Sequence, residues 1–70
     1  MELRNKLKEI RTVRELTQEA LAAQIGVTRQ TIIAIEKSKF IPSVKLALGL
    51  AAALKTPIYE IFWLEGEAER

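Results

Sequence analysis

Apolar residues in this chain recur at the three- and four-residue spacing of amphipathic helices, and turn residues interrupt the pattern at short intervals. The stretch TQEALAAQIGVTRQTIIAIE, residues 17–36, contains two such patterns with Gly26 between them. They predict two short helices, over about 18–24 and 29–36. The positions expected to be buried share one face within each helix: Leu21, Ala22 and Ile25 in the first, and Ile32 and Ile35 in the second.

The residues at the ends of these two helices favour a sharp turn between them. Thr17 and Thr28 can each cap a helix by offering a hydroxyl to otherwise unpaired backbone N–H groups. Gly26 can take the left-handed conformation that a tight turn requires. This organisation is typical of a helix-turn-helix, whose second helix enters the DNA major groove. Six residues are then left facing outward together: Gln18, Thr28, Arg29, Gln30, Ile33 and Ala34.

The segments on either side of the motif also predict helices. Asn5 is the expected N-cap of a first helix that runs to about Val13, with Leu16 entering the core from the connection that follows. Residues 37–42 predict a loop, because Pro42 disfavours helix at the residue before it. We expect Phe40 in this loop to fill a place in the core.

Two further helices are predicted after the loop. Ser43 should cap a helix through about Leu54, and Thr56 should cap a short fifth helix, with Pro57 at its first position, that ends at about Ile61 or Phe62. The expected core face of the fourth helix consists of Val44, Ala47, Leu50, Ala51 and Leu54. The sequence thus predicts one compact all-α domain over residues 1–70.

Residues beyond the two helices match a known family. Gln18, Leu21, Ala22, Ile25, Gly26, Val27, Ile32, Ile35 and Glu36 are all in register with it, Arg11 matches a further family position, and IEKSKFIPSVKLALGLAAAL (residues 35–54) resembles its usual continuation. The chain therefore resembles the Cro/repressor-type, or XRE, family of helix-turn-helix regulators, over roughly residues 5–64. It is most like the small single-domain repressors of that family.

The resemblance implies a five-helix, lambda-repressor-like fold that acts as a dimeric repressor of double-stranded DNA. Two recognition helices, residues 29–36, would then lie about 34 Å apart and read a palindromic operator. It also implies a partly buried ion pair between Arg11 and Glu36. In similar repressors the segment after the fifth helix is extended, pairs with a short N-terminal strand, here Glu2-Leu3-Arg4, and packs at the two-fold axis.

The apolar triplet Phe62-Trp63-Leu64 is the expected dimer interface. Three large apolar residues shortly before the polar tail GEAER are too many for a frayed chain end. The alternative is that they fold back onto the core of their own chain. Segment 61–70 is thus expected to combine dimerisation with an acidic tail.

The family resemblance implies specific DNA contacts for the outward-facing residues. Gln18 would bind a phosphate at the N-terminus of its helix, and Thr28 would serve as both cap and phosphate ligand. Gln30 would bond adenine, whereas Arg29 would bond guanine or, alternatively, grip a phosphate. The remaining expected contacts come from Thr31, Ile33, Ala34, Lys37 and Lys39.

Among these, Ile33 and Ala34 depart from the polar residues common in the family. Ile33 would contact a thymine methyl group or, alternatively, be partly buried against a neighbouring helix. Ala34 is small enough to let its helix approach the bases closely. Lys37 and Lys39 would contact phosphates from the loop after the recognition helix.

Composition narrows the chemistry further. The chain has 70 residues with no cysteine and no histidine, so we expect no disulfide, no catalytic residues, no metal site and no cofactor. No small-molecule ligand is evident either. The longest apolar run, residues 46–54, is far short of the ~20 residues needed to span a bilayer, and a cytoplasmic location is expected.

Charge is unevenly distributed along the chain. Residues 1–59 contain ten basic and five acidic residues, whereas residues 60–70 contain one basic and four acidic residues. A basic body suits a polyanionic partner. Two alternatives use the same fold: an antitoxin of a toxin–antitoxin pair, with the acidic tail as a docking segment, and a protein-binding adaptor that has lost the groove contacts.

Overall fold

The computed structural model describes residues 1–66, and within that range the chain forms five helices and a two-stranded antiparallel sheet. The elements are β1 (Glu2–Asn5), α1 (Leu7–Val13), α2 (Gln18–Ile25), α3 (Arg29–Glu36), α4 (Val44–Leu54), α5 (Ile58–Ile61) and β2 (Phe62–Glu65). The five-helix fold expected from the sequence is therefore confirmed, with a terminal ribbon. Residues 67–70, which complete the expected acidic tail, lie outside the described residues.

The three central helices begin where the sequence predicts, because a hydroxyl caps each of them. The Oγ1 atom of Thr17 accepts a hydrogen bond from the Ala20 N–H at 2.9 Å. Thr28 and Ser43 accept in the same way from the N–H groups three residues further on, at 3.4 Å and 3.1 Å. Gly26 ends α2 with a φ of 73°, the left-handed conformation that the sharp turn into α3 requires.

The starts of α1 and α5 differ from the prediction. Asn5 ends β1 instead of standing at the N-cap, yet its Oδ1 still accepts from the Leu7 N–H at 3.0 Å. Thr56 does not cap α5. Its hydroxyl donates instead to the Leu54 carbonyl at 2.9 Å, and Pro57 occupies the N-cap position. The Asn5 side chain therefore still serves the start of α1 from within β1, whereas the Thr56 hydroxyl bonds back to α4.

The ribbon joins the two ends of the described chain. β1 and β2 pair antiparallel, with Leu3 opposite Leu64 and Asn5 opposite Phe62. The Nδ2 atom of Asn5 donates to the Ile35 carbonyl at 3.0 Å, which ties the ribbon to the C-terminal end of α3. Asn5 thus satisfies two backbone groups, one at the start of α1 and one at the end of α3.

The core lies between the helices and is closed at one end by the ribbon. Its buried members are Leu7, Leu21, Ala22, Ile32, Ile35, Ala47, Leu50, Leu54, Ile61 and Phe62. Leu16, Ile25 and Ala51, which were also expected there, are partly buried and pack against these residues, whereas two expected members are exposed. Phe40 is 47% exposed, because Leu3 and Phe62 of the ribbon fill the adjacent side of the core, and Val44 is 75% exposed, because no described element covers that side of the first turn of α4.

Candidate nucleic-acid interface

The first residues of α3 project from the surface while the opposite face of the same helix is fixed in the core. Arg29 and Gln30 are exposed, and Ile32 and Ile35 are fully or almost fully buried. Since residues three and four apart share a helix face, Ile33 and Ala34 lie on the side of Gln30. Both are half-buried. Gln30, Ile33 and Ala34 therefore form one face of α3, which we call the groove face.

A buried ion pair holds α3 in place. The Glu36 carboxylate, with its side chain 5% exposed, accepts from Arg11 Nε at 2.7 Å and from Arg11 Nη2 at 3.4 Å. Arg11 also donates from Nη1 to the Leu16 carbonyl at 2.8 Å. The guanidinium thus links α1, the connection after it and the C-terminal end of α3, which fixes the angle at which α3 leaves the core.

Gln18 extends this ion pair to the start of the recognition helix. Its Nε2 donates to Glu36 Oε1 at 3.0 Å, and its Oε1 accepts from Arg29 Nε at 3.3 Å. The expected outward-facing Gln18 is therefore half-buried, and its amide orientation is fixed by an acceptor on one side and a donor on the other. Arg29 leans toward α2 and keeps both Nη atoms available for a ligand.

Two hydroxyls lie together beside the N-terminus of α3. The Oγ1 atoms of Thr28 and Thr31 are 3.2 Å apart, and Thr28 is exposed whereas Thr31 is half-buried. One hydroxyl donates to the other, and the hydroxyl that accepts can still donate its own proton to an external oxygen. The pair suits a phosphate oxygen placed near the start of the helix.

The surface around α3 carries a positive charge. Between residues 20 and 59 the sequence has five basic residues, Arg29, Lys37, Lys39, Lys45 and Lys55, and one acidic residue, Glu36. Arg11 neutralises that acid. The exposed Lys37 and Lys39 follow α3 directly. A polyanion that approaches the groove face therefore meets Arg29 at the start of α3, beside the exposed Glu19 of α2, and Lys37 and Lys39 after its end.

The three residues expected at a dimer interface have different surroundings. Phe62 is buried in the core of its own chain, in agreement with the fold-back alternative for that residue. Trp63 is half-buried, with Lys6 Nζ 5.8 Å from the centre of its ring. Leu64 is 58% exposed and is the one member of the triplet that offers a large apolar surface.

Other kinds of site find no support in residues 1–66. That part of the chain contains no group of three or more acidic side chains arranged to hold a metal ion. None of its helices has the length and the apolar character needed to cross a membrane.

Comparison with known proteins places this geometry among DNA-binding regulators. A family model described as "Helix-turn-helix" matches residues 7–61. The uncharacterized HTH-type transcriptional regulator YgzD of Bacillus subtilis is 45% identical over 65 residues, which is 93% of this chain and 98% of that protein. The uncharacterized HTH-type transcriptional regulator MJ0272 of Methanocaldococcus jannaschii is 51% identical over the same shares.

Solved structures share the fold as well as the sequence pattern. The restriction-modification controller protein C.AhdI of Aeromonas hydrophila superposes with a TM-score of 0.73 at 35% identity, covering 77% of this chain and 78% of that one. The hypothetical transcription factor NHTF of Neisseria superposes with a TM-score of 0.72 at 28% identity, covering 77% and 62%.

Proposed function

Because the chain belongs to the helix-turn-helix family of DNA-binding transcriptional regulators, we propose that it is a homodimeric repressor that reads a palindromic operator through α3. The observation that carries the proposal is the asymmetry of α3. One side of the helix is anchored by Ile32, Ile35 and Glu36, while Arg29 and Gln30 stay exposed at its N-terminal end. A recognition helix needs this combination of a rigid base and free polar ends.

Sequence readout is assigned to the groove face. Gln30 can bond adenine N6 and N7 in a bidentate manner, which is worth about 1–3 kcal/mol of discrimination. Ile33 is half-buried but retains surface for a thymine methyl group. Ala34 keeps the helix close to the base edges. The two free Nη atoms of Arg29 reach either guanine or a phosphate, and the bond to Gln18 holds the side chain ready for both.

Affinity is assigned to the phosphate contacts around this face. Gln18 and the paired hydroxyls of Thr28 and Thr31 lie at the helix starts, where backbone N–H groups also favour anions. Lys37 and Lys39 supply cations at the other end of α3. Such contacts set register and strength without selecting sequence. Repression needs only occupancy of the operator, and a DNA-binding domain supplies that by itself.

Selection from a pool of random duplexes tests the proposal. The wild type should enrich a palindrome with half-sites about 10 bp apart, one turn of B-DNA. Gln30→Ala should relax the preference at one base pair of each half-site. Gln24→Ala is the matched control, since Gln24 is an exposed glutamine in α2, away from the groove face, and it should recover the wild-type sequence.

Three other results would redirect the assignment. No enrichment from a protein that is folded by circular dichroism contradicts DNA recognition and favours the adaptor alternative. Enrichment by a protein that also co-purifies with a second, toxic polypeptide favours the antitoxin alternative. Enrichment of an isolated half-site contradicts the dimeric, palindromic mode but leaves DNA recognition intact.

A further inference from the structure

Exposed apolar side chains in this protein are concentrated in one short segment. Among residues 1–66, eight large apolar side chains are exposed, and four of them fall within residues 40–48. They are Phe40, Ile41, Val44 and Leu48, with exposures of 47%, 72%, 75% and 53%. Val44 and Leu48 are one helical turn apart on the same side of α4. We call these four residues the 40–48 surface.

The 40–48 surface continues onto the ribbon. A groove of about 400 Å³ separates the loop residues Phe40 and Ile41 from β1, and Leu3 and Phe62 line its floor. Leu64, 58% exposed, lies opposite Leu3 in the ribbon register. Phe40 and Ile41 thus adjoin a groove whose lining includes the apolar Leu3 and Phe62 and the charged Glu2 and Arg4 of the ribbon, and Leu64 shares the ribbon face of Leu3.

We propose that the 40–48 surface is where two copies of this chain pair. The proposal rests on the homodimeric operator binding argued above and names the interface that this mode requires. Together with Leu64, the four side chains of this surface each expose on the order of 100 Å², and the total is near the upper limit for an apolar patch on a monomer, ~300–600 Å². With a polar rim, that patch approaches the ~800 Å² per partner of a stable interface.

A second copy of the chain suits this surface better than an unrelated partner does. α3 alone contacts only a few base pairs, so a specific operator requires two recognition helices in fixed relation. The loop of residues 37–43 connects α3 directly to the 40–48 surface. A two-fold contact there would fix the distance between the two recognition helices, because only one short loop in each copy separates the helix from the contact.

The opposite face of the ribbon is less suited to such pairing. Trp63 is cross-strand partner to Arg4, and the Lys6 ammonium lies over its ring. Arg4 also makes ion pairs with Glu65 at 2.8 Å and with Glu2 at 3.3 Å. Charged groups already occupy this side in ion pairs, whereas the four members of the 40–48 surface are all apolar and the exposed Lys45 is the one charged residue between positions 40 and 48.

Two valines with almost equal exposure provide the test. Val44 is 75% exposed on the proposed interface, and Val13 is 79% exposed at the end of α1, outside it. Val44→Glu should weaken the dimer about a hundredfold or more in sedimentation velocity, because pairing would bury two carboxylates. Val13→Glu should sediment as the wild type does. Both substitutions are at exposed positions, so circular dichroism should show unchanged helix content.

Leu48→Glu, one turn further along α4, should reproduce the effect of Val44→Glu. The proposal is overturned if both variants remain as dimeric as the wild type, if Trp63→Ala separates the subunits instead, or if the wild type is monomeric both free and on DNA. The selection experiment keeps the two proposals separate. If a palindrome is enriched but Val44→Glu leaves the dimer intact, only the proposed interface is contradicted. If Val44→Glu dissociates the dimer but no sequence is enriched, only the operator-binding role is contradicted.

Discussion

At the scale of single residues, Glu36 is the most connected side chain of the interface. Its carboxylate receives hydrogen bonds from Arg11 in α1 and from Gln18 in α2, and it is almost fully removed from solvent. Gln18 in turn accepts from Arg29. The core ion pair and the DNA-facing arginine therefore belong to one hydrogen-bond network. Such networks hold their members in one geometry when every polar atom is satisfied, and no buried side-chain N or O atom in residues 1–66 lacks a partner.

We predict that Glu36→Ala destabilises the fold far more than it affects DNA contacts directly. The substitution strands the Arg11 guanidinium, whose side chain is 11% exposed, and breaking one side of such a pair costs about 3–5 kcal/mol. Chemical denaturation should show this loss, which is a large share of the ~4–10 kcal/mol available to a domain of this size. Glu9→Ala, an exposed position in α1, should change stability by less than about 0.5 kcal/mol.

The DNA affinity of Glu36→Ala, corrected for the folded fraction, should fall only slightly. The remaining loss comes from Arg29, because Gln18 no longer has the Glu36 carboxylate that fixes its orientation toward Arg29. A variant that keeps full stability yet no longer binds the operator would show instead that Glu36 acts on the DNA itself.

Residue-level roles could be predicted only in part. The pairing of Arg11 with Glu36 was expected from the family resemblance, and the structure brings the two together at 2.7 Å. The Gln18–Arg29 bond was not expected, because it depends on how closely two side chains from different helices approach. Phe40 was placed in the core on hydrophobicity alone, and the ribbon residues that exclude it lie more than twenty positions away in sequence.

At the scale of elements, helix ends were easier to predict than helix faces. A cap is a local event: the hydroxyls of Thr17, Thr28 and Ser43 act on N–H groups three residues away. The strands β1 and β2 have four residues each, too few for alternation to be recognised, and their pairing joins distant segments. Only the family resemblance suggested them.

Gly49 illustrates an element whose sequence is not optimal for its own stability. It lies inside α4, where glycine costs about 0.5–1 kcal/mol relative to alanine. A Cβ built at this position would meet only Ile25 Cγ2, at 4.0 Å, which is an ordinary contact. Gly49 also lines a groove of about 690 Å³ between α2 and α4. The missing side chain leaves that groove open at the expense of helix stability.

We therefore predict that Gly49→Ala stabilises the protein by about 0.5–1 kcal/mol. The matched substitution Gly26→Ala should have the opposite sign. It forces a Cβ into a left-handed residue with a φ of 73° and costs about 1–2 kcal/mol, although no atom lies within 4 Å of the new methyl group. Urea denaturation of both variants measures the difference. Equal signs for the two would mean that packing, and not backbone conformation, decides both positions.

At the scale of the whole molecule, the described chain has a structural end and a binding end. The ribbon ties residues 2–5 to residues 62–65, and Asn5 connects it to the C-terminal end of α3. The exposed recognition residues Arg29 and Gln30 lie at the N-terminal end of α3, and Lys37 and Lys39 follow its C-terminal end, where the ribbon is tied. The motif and the charge distribution were enough to predict the binding end from the sequence. The exposed apolar residues within 40–48 could not be predicted in this way, because their burial depends on which elements pack against α4.

The positive charges beside α3 should determine how strongly operator affinity depends on salt concentration. Each phosphate neutralised on duplex DNA contributes about −0.9 to the slope of log K against log salt concentration. Lys39 is exposed in the loop after α3 and has no acidic neighbour in the sequence between Lys37 and Lys45. If it contacts one phosphate in each half-site, Lys39→Ala should make the slope shallower by about 2 for the dimeric complex. The enriched operator sequence should not change, since phosphate contacts carry no sequence information.

Lys8→Ala removes the same charge from an exposed position in α1 and should leave the slope at its wild-type value. Equal reductions in both variants would show that the lysines act through net charge alone, and a changed operator preference in Lys39→Ala would place that side chain against a base.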